Sequence, residues 1–110
     1  MTYDELKRQK EIVDFIKDIR DLTEQQKNPT RDGMEHIILS IKNKYKIETA
    51  VFEKTTAFAT NGVMTDIKNI SNDVLYNRLK AYKEIIILKF VDKYGNEMLT
   101  NIVKEYELEV

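Results

Sequence analysis

From Thr2 to about Lys27 the chain contains neither glycine nor proline. Over that stretch Leu6, Ile12, Val13, Phe15, Ile16, Ile19 and Leu22 recur mostly at spacings of three and four. An unbroken segment with that period is an amphipathic helix. Twenty-five residues at about 1.5 Å each make a rod of roughly 38 Å. A domain of this length has a radius of gyration of only about 13 Å. The helix therefore overhangs its own core, and its apolar stripe needs the rest of the chain or a second subunit. Ile12, Ile16 and Ile19 are the residues expected to form a homodimer interface.

Everything else must fit into the remainder of 110 residues, which suits one domain. Hydrophobic residues at 42% and charged residues at 34% are those of a folded chain, not a disordered tail. Eighteen basic residues against nineteen acidic ones exclude a grossly basic nucleic-acid binder. The absence of cysteine excludes disulfides, thiolate metal sites and a cysteine nucleophile. His36 is the single histidine, so one chain cannot build a multi-histidine metal site. The longest apolar run, Ile85 to Leu88, is far short of a membrane span, and the first residues alternate charge. A cytoplasmic protein without membrane contact is the expectation.

Asn28-Pro29-Thr30 ends the first helix, and Thr30 is placed to cap the next, with Asp32 in its first turn. Met34, Ile37, Ile38, Ile41 and Tyr45 then follow a clean helical period. The stretch 47–60 mixes helical spacing with strand-forming threonines, and Asn61-Gly62 marks a stop or turn. Residues 63–83 read as two short helices around a tight connection. The first carries Met64, Ile67 and Ile70; Ser71, Asn72 or Asp73 caps the second, whose apolar face is Val74, Leu75, Leu79 and Tyr82. Ile85 to Val91 is β-branched and short, and reads as a strand. Asp92 to Glu97 is hairpin-turn chemistry around Gly95. Beyond it, Met98, Leu99, Ile102, Val103 and Tyr106 have helical spacing, whereas Tyr106, Leu108 and Val110 alternate with glutamates. A returning strand and an extended tail are the reading preferred here.

The order helix, turn, helix, strand, glycine turn, strand resembles a winged helix-turn-helix. Ile70-Ser71, Val74-Leu75, Arg78-Leu79-Lys80 and the aliphatic run after Glu84 resemble the recognition helix and first wing strand of HxlR-type regulators. Glu105 to Leu108 resembles their second wing strand. The resemblance covers about Met64 to Val110 and implies a winged helix-turn-helix with a C-terminal β-hairpin over 63–110; with the long dimerisation helix over 1–28 and helical support over 30–60 read from spacing, the expected fold is α+β. It implies a double-stranded DNA-binding protein, a local repressor or a plasmid or phage accessory, and no enzyme.

Independently of that resemblance, Asn72, Tyr76, Asn77, Lys80 and Lys83 fall opposite the apolar face of the second short helix. Asparagine can pair with adenine, and lysine can reach guanine or phosphate. Arg78 lies at the margin of that face, and Lys89 and Lys93 are expected on the wing, against phosphates. Residues 61–83 hold four basic and two acidic side chains, while 84–110 hold three basic and six acidic, so charge is segregated.

Two other functions fit parts of the chain. The long helix and acidic tail suit a non-catalytic protein-interaction module, such as an inhibitor or assembly factor. Arg31 and His36, with four residues between them, resemble the Arg-x4-His signature of HEPN ribonucleases. That resemblance implies an arginine stabilising phosphoryl charge and a histidine moving a proton. No P-loop, dinucleotide fingerprint or nucleophile elbow occurs, so the motifs suggest no cofactor and no small-molecule ligand.

Overall fold

The computed structural model describes residues 2–47 and 70–110, and every element among them is a helix. Helix α1 spans Tyr3–Lys27, α2 Arg31–Tyr45, α3 Asn72–Tyr94 and α4 Asn96–Tyr106. Helix α3 packs against the other three, and α1 also packs against α2. The expected α+β winged helix is therefore wrong: neither its hairpin nor its wing exists among the described residues. The doubtful stretch 48–60, the Asn61-Gly62 stop and the first short helix around Met64 and Ile67 lie outside the described residues.

Each helix start is set by local chemistry. The Thr2, Thr30 and Ser71 hydroxyls accept from the backbone N–H groups of Glu5, Gly33 and Val74, satisfying donors that the first turn leaves open. Pro29 separates α1 from α2, and the Gln25 side chain accepts from the Thr30 amide at 3.1 Å to fix the corner.

Helices α2 and α4 end alike. Lys46 and Glu107 adopt left-handed φ values of 52° and 53°, and the next amides, of Ile47 and Leu108, return to the carbonyls of Lys42 and Val103. In such a stop the residue after the left-handed one makes an apolar contact. Ile47 and Leu108 are accordingly buried in the core. The alternation at 106–110 is thus a helix stop with an apolar anchor, not a strand.

The stretch Ile85 to Val91 continues α3 for about two more turns. Leu75, Leu79, Tyr82, Ile86 and Phe90 form one buried stripe along the whole helix. Burying a large aliphatic or aromatic side chain stabilises by roughly 1.5–3 kcal/mol. The preference of isoleucine for a strand is worth less than that per residue, so the stripe wins. Gly95 remains a corner, with φ 89° and ψ 162°, but it joins α3 to α4 rather than two strands.

Phe15, Ile16, Ile19 and Leu22 of α1, Met34, Ile38 and Ile41 of α2, and Ile102 of α4 complete the core around α3. The Phe15 and Phe90 rings stack at 4.2 Å between centroids. Residues 3–10 of α1 are all exposed, so the helix does run past the core that its later turns build.

Candidate functional site

Along α1, Glu11, Asp14 and Asp18 fall on one face, at i, i+3 and i+7. Lysines stand opposite: Lys93 and Lys89 from α3, and Lys44 from α2. Asp18 is buried, and accepts from Lys44 Nζ at 3.1 Å and from the Tyr45 hydroxyl at 2.7 Å. Glu11 accepts from both Lys93 Nζ and the Tyr94 hydroxyl. Two Lys–carboxylate–Tyr groups thus close the ends of a ladder. Its middle rung, Asp14 and Lys89, makes no hydrogen bond or ion pair among the described residues.

Between the rungs lies an open cleft of about 230 Å³, lined by Glu11, Asp14, Lys44, Lys89 and Lys93 and by Phe15, Tyr45, Ile86, Phe90 and Tyr94. The Lys93 and Tyr94 hydrogen bonds hold the Glu11 carboxyl below its ordinary range. Lys93, bonded to Glu11, is pushed up in turn. Burial, then the bond to the charged Asp18, drives the Tyr45 phenol well above its ordinary value. Burial and Glu11 do the same, less strongly, for Tyr94. Both phenols therefore stay protonated as donors. The described residues contain no cluster of histidine and carboxylate side chains able to hold a metal ion.

The residues expected to contact DNA do not converge on one surface. Asn72, Asn77 and Lys80 are exposed near the start of α3, where Lys80 lies over the Tyr76 ring. Tyr76 and Lys83 instead turn toward the end of α1. The Tyr76 hydroxyl donates to the Gln26 carbonyl, and Lys83 Nζ donates to Thr23 and Gln26. Burial pulls the Lys83 ammonium below its ordinary value. Arg78 is buried, 5% exposed, beneath this face. Lys89 and Lys93 stand on the same helix one to two turns or more away, at the cleft, because the stretch expected as the wing continues α3.

The dimer residues are also placed otherwise than expected. Ile16 and Ile19 are 6% and 0% exposed within the chain's own core, and Ile12 packs against it. The stripe is covered by α2, α3 and α4 rather than left for a second subunit.

Within one chain the Arg31 and His36 side chains do not converge. Five helical positions turn the two side chains about 140° apart. Arg31 ties the start of α2 to that of α3, donating to Glu35 at 2.7 Å, to the Ile70 carbonyl and to Asn72. His36 is exposed.

Sequence reasoning missed a second apolar stripe on α1. Tyr3, Leu6 and Val13 are 78%, 54% and 62% exposed. On a helical wheel they fall almost opposite Phe15, Ile19 and Leu22, with Lys10, Lys17 and Arg20 among them and no carboxylate before Asp21. The signal was present in the spacing of Leu6 and Val13, two turns apart, but both had been merged into the core stripe. Among the described residues no helix is long and apolar enough to cross a membrane. No family model, curated protein or solved structure matches the chain.

Proposed function

We propose that the chain is a non-catalytic protein-interaction module that offers the outer face of α1 to an acidic partner protein. The observation that carries this reading is the second stripe: Tyr3, Leu6 and Val13 exposed on the side of α1 turned away from the core. An amphipathic helix recognises a groove through apolar anchors at such spacings. Of the cations on the same face, Lys17 pairs with Asp21 and Arg20 donates to the Tyr106 carbonyl, which leaves Lys10 to meet a carboxylate beside that groove. The first turns of α1 contribute no residue to the buried core, so their apolar side chains have no folding role that competes.

The DNA-binding reading has less support from this architecture. The stretch expected to form its wing is helical, Arg78 and Lys83 are turned into the fold, and the remaining cations are spread along α3. A mobility shift at low salt with DNA from the protein's own locus separates the two readings.

The direct test places a photo-crosslinking amino acid at position 6 or 13 in cells of the source, with positions 77 and 84 of α3 as exposed controls. The expected result is one acidic protein joined at 6 and 13 but not at the controls, and lost when Lys10 is replaced by Glu. Equal or absent crosslinking at all four positions overturns the reading.

A further inference from the structure

The cleft between α1, α2 and α3 lies on a different face of α1 from the proposed partner surface, and its charges are already partly satisfied. Lys44 and Tyr45 are committed to Asp18, and Lys93 and Tyr94 to Glu11. What remains is one carboxylate, Asp14, and one ammonium, Lys89, both lining the cavity and both without a hydrogen-bond or ion-pair partner among the described residues. An anion alone would meet Lys89 but be repelled by Asp14. A cation alone would face the converse. A molecule carrying both charges satisfies the two together.

Size and lining narrow the class further. The volume of about 230 Å³ is below the roughly 300–1,000 Å³ of clefts that hold drug-sized ligands, and fits a single amino acid. Phe15, Ile86 and Phe90 form the buried floor of the cleft, and the half-buried Tyr45 and Tyr94 rings supply the apolar surface that its side chain would meet. We infer that this cleft binds a small zwitterion with an apolar body, of the class of the free aromatic or branched α-amino acids. Its ammonium pairs with Asp14 and its carboxylate with Lys89, while the two closed rungs hold the helices at the spacing the ligand needs. The cleft is open to water, so the charge pairing is screened and the affinity is modest.

The test uses the full chain, labelled with nitrogen-15, and three probes: L-phenylalanine, phenethylamine, which lacks the carboxylate, and 3-phenylpropionate, which lacks the amine. L-phenylalanine is expected to shift the amides of Asp14, Phe15, Lys89 and Phe90 saturably, with half-saturation near or below about 1 mM. Each analogue should bind about threefold to fivefold more weakly, the loss of one screened charged contact. Asp14→Asn should abolish the advantage of L-phenylalanine over 3-phenylpropionate, and Lys89→Met its advantage over phenethylamine. The wild-type series decides the matter even if a variant were to unfold. Absence of saturable shifts with L-phenylalanine, or analogues that bind as well as it does, overturns the inference.

Discussion

The Tyr45 hydroxyl donates to Asp18 at 2.7 Å, across the contact between α1 and α2, onto a carboxylate that is only 4% exposed. A buried charge of this kind is tolerable only when its oxygens are all engaged, and Lys44 supplies the other donor. Replacing Tyr45 by Phe keeps the ring and removes the donor. The loss of a hydrogen bond to a charged group should destabilise the fold by about 1.5–3 kcal/mol, read from the urea midpoint at neutral pH.

The same hydroxyl fixes how the protein responds to base. Burial and Asp18 raise the folded phenol above its ordinary value of 10.0, which the unfolded chain retains. Above pH 10 the unfolded state has then released a proton that the folded state still holds. Stability contributed below pH 10 is therefore lost as pH rises beyond it, at no more than about 1.4 kcal/mol per pH unit from this group. Lys93 and Tyr94, also raised, lose stability in the same direction. The difference between wild type and Tyr45→Phe isolates Tyr45: the variant's urea midpoint should fall less steeply between pH 9.5 and about pH 11.5. Parallel curves would show that Tyr45 does not titrate abnormally.

Ile16 separates a core position from an interface position. At 6% exposure within one chain, it cannot accept a charge without opening the bundle. Ile16→Glu should cost on the order of 4–5 kcal/mol or more, a large part of the stability of a small domain. Circular dichroism should then show lost helix, rather than sedimentation showing a folded monomer released from a dimer. A fully helical, stable Ile16→Glu variant would return this face of α1 to the list of subunit contacts.

The exposed stripe should behave in the opposite way. Leu6→Asp and Val13→Asp remove no core contact, so each should leave stability within about 0.5 kcal/mol of wild type in urea unfolding. Substantial destabilisation by either would mean that the stripe is part of the fold.

Gly95 gives a test of backbone conformation alone. Its φ of 89° and ψ of 162° fall in a region almost confined to glycine, and nothing lies within 4 Å of where a Cβ would sit. Gly95→Ala should therefore cost about 1–3 kcal/mol from backbone strain without any clash. Thermal unfolding measures it; an unchanged midpoint would mean that the corner relaxes freely.

The parts of this fold legible in the sequence were those set by local chemistry. Thr2 and Lys27 bracket the first helix, and Thr30 and Ser71 cap as their positions suggest. The failures lie where tertiary packing decides. Ile85 to Val91 has strand-forming residues, yet Leu75, Leu79, Tyr82, Ile86 and Phe90 extend one helical stripe through it, and that longer period was the better signal. Leu108 alternates with glutamates because it anchors a helix stop, a geometry that needs the left-handed Glu107 to be seen. The cleft was not legible at all. Its ladder joins three helices, and no spacing within one of them reveals that Asp14 and Lys89 face the same space.

That α3 makes the most extensive packing with the other described helices also bears on how the chain is made. Until α3 emerges from the ribosome, Phe15, Ile19, Ile38 and Ile41 lack the helix that covers them in the finished fold. The roughly fifty residues between Ile41 and Phe90 take about 2–10 s to synthesise. For that interval α1 and α2 form an incomplete pair with a sticky inner face, so slow translation or truncation before α3 should favour aggregation over folding.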